Sequence, residues 1–131
     1  MKEQARNLVY HRNAHPVGVS HITIGEAFHG IARDRKRDCD RVMGKFVELM
    51  VEQNKIVLYG IRDLGRYREI IDRLEGESFE LRPCDCQILA AALLDNDCRI
   101  FYSADPDFIS SPRLEVFCRK EPYRTRIVSW D

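Results

Sequence analysis

Between Leu81 and Phe108 the chain runs through a proline, an apolar run, a polar break and a short β-branched and aromatic segment. This order restricts the fold more than any other stretch. Pro83 suits the first position of a helix, where its missing N–H would have no partner in any case. Asp85 then falls in the first turn. Ile88 to Leu94 is apolar on all sides, which predicts a buried helix. Asp95, Asn96 and Asp97 end it, Arg99 to Ser103 reads as a short strand, and Asp105-Pro106-Asp107 as a turn. From Asp85 to Asp95 the helix travels ~15 Å from its start, and from Arg99 to Ala104 the strand returns ~16 Å. Asp85 and Asp105 are therefore expected at one edge, beside a helix N-terminus and a strand C-terminus, where ligands of open α/β sheets bind. Carboxylates gathered above apolar walls repel one another unless protons or a cation intervene. Oxygen-only ligands suit a hard divalent ion such as Mg²⁺ or Mn²⁺.

The rest of the chain supplies the frame. Lys2 to His15 reads as a helix stopped by Pro16, with His11 and His15 as surface residues near its end. Val17 to Ile24 alternates and is predicted to be a strand. Gly25-Glu26 then turns into a helix carrying Ala27, Phe28, Ile31 and Ala32. This places Glu26 at the same kind of edge as Asp85 and Asp105. Taken alone, Glu26 is a first-turn complement to the helix dipole; three elements with acids at equivalent edges weaken that plain reading.

Arg33, Arg35, Lys36, Arg37 and Arg41 outnumber Asp34, Asp38 and Asp40 across the next connection. Most such runs are solvated surface, and phosphate contact is the smaller share. Further helices are expected over Asp38–Asn54 and Arg62–Leu74, the latter with a core stripe of Leu64, Tyr67, Ile71 and Leu74. Further strands are expected over Lys55–Tyr59, Leu114–Phe117 and Arg126–Trp130. Helical crossovers between short strands predict an α/β fold, a three-layer α/β/α arrangement with a mainly parallel short sheet, in a single domain over residues 1–131.

Composition narrows the function classes. The 131 residues allow one real core. With 21 basic and 21 acidic residues the net charge is zero, so any contact with nucleic acid must come from a local patch. Five cysteines without a C-x-x-C pair or a signal peptide read as free thiols of an intracellular, cytoplasmic protein, with Cys84 and Cys86 as buried filler. No apolar run reaches membrane-spanning length.

On these residues the chain resembles the PIN-domain family. The resemblance rests on Ile22-Thr23-Ile24-Gly25-Glu26, on Pro83-Cys84-Asp85 followed by Ile88 to Leu93, and on Ser103-Ala104-Asp105-Pro106-Asp107-Phe108. It covers about Val17 to Trp130. The family is one of Mg²⁺- or Mn²⁺-dependent ribonucleases, many of them toxins of toxin–antitoxin pairs. Carried over, Glu26, Asp85 and Asp105 are the second, third and fourth family acids, catalytic and metal-holding. Asp107 is an accessory metal acid, and Ser103 is the hydroxyl residue that supports the site. The family opens with a strand ending in an aspartate, and no counterpart precedes Lys2 here. That departure is expected to mark an N-terminally shortened member, with sheet edges that a second copy would cover in a homodimer.

Three functions follow as expectations. The first is a PIN-like hydrolase that cleaves RNA, with Arg33, Arg35, Lys36 and Arg37 on the RNA backbone and an antitoxin as protein partner. The second is a non-catalytic PIN-like module that binds RNA or protein. The third is a plain α/β domain whose acids only complement helix dipoles.

Overall fold

The computed structural model describes residues 17–34, 36–53 and 56–129. The helix expected over Lys2–His15, Arg35 and Trp130 lie outside them. The chain divides into two compact units, Met1–Gly60 and Ile61–Asp131.

In the first unit, β1 (Val17–Ser20) pairs in parallel with β2 (Ile56–Tyr59), Val17 opposite Ile56 and Ser20 opposite Tyr59. A side chain at Gly18 would collide with the Tyr59 ring, so this pair requires glycine there. Between the strands run α1 (His21–Asp34) and α2 (Lys36–Val47), packed on one another. A π-helical turn over Glu48–Glu52 continues α2. There Gln53 N–H donates to the Glu48 carbonyl at 3.0 Å, the i→i−5 spacing of that geometry. Among the described residues of this unit, Leu49 and Ile56 are buried and apolar.

The strand predicted over Val17–Ile24 ends early, at Ser20. The Ser20 hydroxyl accepts the Ile22 N–H at 3.1 Å, satisfying one of the donors that a helix start leaves orphaned. Capping chemistry overrides the alternation of Val17, Val19, Ile22 and Ile24, and the helix begins at His21.

The second unit opens with α3 (Leu64–Gly76), capped by Asp63, whose carboxylate accepts the Arg66 N–H at 3.1 Å. Then come α4 (Pro83–Leu93), β3 (Ile100–Ser103), a single turn α5 (Pro106–Ile109), α6 (Pro112–Arg119) and β4 (Arg126–Ser129). Strands β3 and β4 pair in parallel, Phe101 opposite Ile127 and Ser103 opposite Ser129. The expected class, helices with short parallel strands, is the one observed. The segment Leu114–Phe117, expected as a strand, is helical. Ser111 caps it by accepting the Leu114 N–H at 3.3 Å, Pro112 takes the first position, and Leu114 and Cys118 bury one helical turn apart.

The core of this unit gathers Ile70 and Leu74 of α3, Leu89, Ala90 and Leu93 of α4, Phe108, Leu114, Cys118 and Tyr123. Phe101 and Phe108 pack with tilted rings 5.1 Å apart between centres, which ties β3 to the turn after it. Of the expected α3 stripe, Leu74 is buried and Tyr67 and Ile71 are partly so, whereas Leu64 is 72% exposed. Leu64 is the first residue of the helix, ahead of the turns that reach the core.

Candidate functional site

Helix α4 begins with Pro83, so Asp85 occupies its third position. The apolar residues behind it, Leu89, Ala90, Ala91 and Leu93, anchor the helix in the core. A buried helix therefore presents Asp85 from its first turn, and Asp85 itself is 5% exposed. A carboxylate there gains from the positive end of the helix dipole.

The chain returns to Asp85 through β3. Buried Ser103 ends the strand, and its hydroxyl accepts the Asp105 N–H at 3.0 Å. Asp105 caps α5, its Oδ1 accepting the Asp107 N–H at 2.9 Å. Two successive side-chain-to-backbone bonds thus fix the Ser103–Asp107 segment, and Pro106 fixes the backbone between the two acids. Asp105 is half-buried and Asp107 exposed.

Carboxylate oxygens of Asp85, Asp105 and Asp107 all lie within 4.8 Å of one another. A hard divalent ion binds oxygen at about 2.0–2.6 Å, so its ligand pairs span at most about twice that distance. One ion can reach all three carboxylates, and the donor set is all oxygen. The trio fits such an ion in both reach and chemistry.

The cation already beside this trio is Arg82. Its Nε donates to Asp85 Oδ2 at 3.1 Å, and its Nη2 lies 3.9 Å from Asp105 Oδ2. The hydrogen bond and charge of Asp85, with Asp105 and Asp107 behind it, hold the guanidinium pKa above its usual range. Arg82 is a site residue beyond those the sequence analysis names. The available signal was its position three residues before Asp85, a spacing at which a helix brings side chains together.

The other sequence candidates, Glu26 and the basic run, belong to the first unit. Glu26 belongs to the first unit and is the sixth residue of α1, exposed and beyond the first turn. Its expected place at a strand end is corrected, because Ser20 starts the helix sooner. Among the described residues the acidic trio comes wholly from the second unit. Arg33 lies exposed in the last turn of α1, and Lys36 and Arg37 open α2. Arg35 lies outside the described residues. Cys84, Cys86, Cys98 and Cys118 are free thiols. Cys84 is exposed rather than buried filler, since it lies on the outer side of α4 next to inward-facing Asp85. Cys118 is buried, and burial pushes its thiol up to about 12.

Comparison with known proteins agrees with this architecture. The family model of the PIN domain matches residues 2–113. The chain belongs to the PIN domain family. A similar solved structure is the crystal structure of VapBC2 from Rickettsia felis bound to a DNA fragment from their promoter. It has a TM-score of 0.64 at 16% sequence identity, and the match covers 97% of this chain and 84% of that one. At that identity the likeness concerns the fold. No curated protein matches the sequence. Among the described residues no helix is long and apolar enough to cross a membrane.

Proposed function

We propose that the chain is a divalent-metal-dependent ribonuclease of the PIN family, with Asp85, Asp105 and Asp107 as the carboxylates that hold Mg²⁺ or Mn²⁺. The observation that carries this reading is the meeting of three carboxylates from two separate elements within 4.8 Å. When bound, the ion would lower the pKa of a coordinated water and neutralise charge on the scissile phosphate. Asp85 would hold the ion from the buried N-terminal turn of α4. Asp105, oriented by Ser103, would hold it from the end of β3, and Asp107 would supply an exposed third oxygen. The family resemblance adds Glu26 as a further acid. Arg33, Arg35, Lys36 and Arg37 are the proposed contacts to the RNA backbone, working as a local patch on a chain of zero net charge.

Membership of the family and the likeness to a VapBC structure favour the toxin half of a toxin–antitoxin pair. The proposed partners are an antitoxin protein and a second copy of the chain, in the cytoplasm. The test is cleavage of single-stranded RNA in Mn²⁺. Activity is expected to vanish in EDTA and in Asp85→Asn, and to fall in Glu26→Gln. Cleavage that persists in EDTA would reject the reading.

A second reading is a non-catalytic module that binds RNA or a protein partner. It is favoured by Arg82, which already sets a positive charge on two of the three acids. It gives RNA or partner binding without turnover at any metal concentration.

A further inference from the structure

We infer that Arg82 changes partners in the metal-dependent reaction: its guanidinium leaves Asp85 and Asp105 when those carboxylates take a divalent ion, and then binds the phosphate of the RNA. This inference rests on the ribonuclease reading. Of the two Asp105 oxygens, Oδ1 is occupied by the Asp107 N–H at 2.9 Å, and Oδ2 is the one that faces Arg82. Asp85 Oδ2 likewise accepts the Arg82 Nε–H. Arg82 thus faces one oxygen of each acid, so a divalent ion held by the same two carboxylates would compete with the guanidinium for their charge.

The exchange is local. Arg82 is the residue immediately before α4, with extended backbone (φ −66°, ψ 155°), and its side chain makes no cap hydrogen bond to the helix. That side chain is 74% exposed, so it can turn outward without opening the core. It stays tethered beside Asp85. Once a dication occupies the carboxylates, its charge repels the guanidinium, while a metal-bound phosphodiester attracts it. The planar fork of arginine matches two phosphate oxygens at once, which a lysine ammonium does not.

The test measures Mn²⁺ affinity of the full chain by electron paramagnetic resonance, for the unmodified protein, Arg82→Gln and Arg82→Lys. Circular dichroism confirms that each is folded. Arg82→Gln is expected to bind Mn²⁺ roughly three- to fivefold more tightly, the scale of an exposed ion pair. Arg82→Lys keeps the competing charge and stays near the unmodified affinity. At saturating Mn²⁺ both variants raise KM for a single-stranded RNA several-fold, because both lose the fork. Equal or weaker Mn²⁺ binding by Arg82→Gln overturns the competition, and an unchanged KM overturns the phosphate contact. Failure of every protein, the unmodified one included, to bind Mn²⁺ refutes the metal-dependent reading beneath the inference. Equal binding by all refutes the Arg82 inference alone.

Discussion

Replacing Asp85 with asparagine keeps the shape of the side chain and removes one of three negative charges from the trio. Asp85 is the buried member, 5% exposed, and the described partner it loses, Arg82, is solvent-facing. The metal-free protein should therefore melt close to the unmodified one. The difference appears on adding Mn²⁺. An ion at a hundred times its Kd stabilises the folded state by about 2.7 kcal/mol. For a chain of 131 residues, that is a rise of about 8–15 °C in Tm. Losing an outer-shell partner weakens metal binding by about 10–100-fold, and losing the most buried direct ligand should reach the upper figure. At the same Mn²⁺ concentration the variant then gains only about 0.4 kcal/mol, or about 1–2 °C. Thermal melts of both proteins across a Mn²⁺ series, with an EDTA control, measure the two rises. If Asp85→Asn gains as much as the unmodified protein, the ion does not bind at Asp85 and the assignment of the trio fails.

Other outcomes follow from the same geometry. Ser103→Ala removes the acceptor that orients Asp105 and should weaken Mn²⁺ binding about tenfold, read by the same titration. Leu114→Ala opens a cavity in the core of the second unit, where Leu114 is wholly buried, and should cost about 2–5 kcal/mol in chemical denaturation. Cys118 is held up to about 12 by burial, against an ordinary value of 9.0. The unfolded chain thus releases this proton first. Stability is full below about pH 9 and declines as pH rises toward 12, with Cys98 and Tyr123, also raised by burial, acting in the same direction. Urea melts at pH 8 and pH 10.5 should show the loss, and Cys118→Ala should flatten it.

The sequence was most legible where local and tertiary preferences agree. Pro83 at a helix start, an apolar run long enough to be buried and an aromatic strand after Asp97 all point the same way, and α4 and β3 lie where they were expected. The meeting of Asp85 with Asp105 follows from helix and strand rise alone. Two readings failed for one shared reason. Val17 to Ile24 and Leu114 to Phe117 both read as strands, but Ser20, inside the first, and Ser111, three residues before the second, cap helices. Four or five alternating residues are a weaker signal than a hydroxyl that satisfies an orphan N–H. The first error also misplaced Glu26, which moved from a strand end to the second turn of α1. Arg82 is less legible: a lone arginine ahead of a helix reads as solvated surface, and only the return of β3 brings Asp105 within 3.9 Å of it.

The central claim is that one divalent ion is held by Asp85, Asp105 and Asp107. Its most direct measurement is an anomalous difference map from a crystal soaked in Mn²⁺. A peak should lie about 2.0–2.6 Å from oxygens of both Asp85 and Asp105, with the Arg82 guanidinium turned away from them. A crystal that takes up Mn²⁺ only elsewhere, or shows no peak at millimolar Mn²⁺ while Arg82 stays on Asp85, would contradict it.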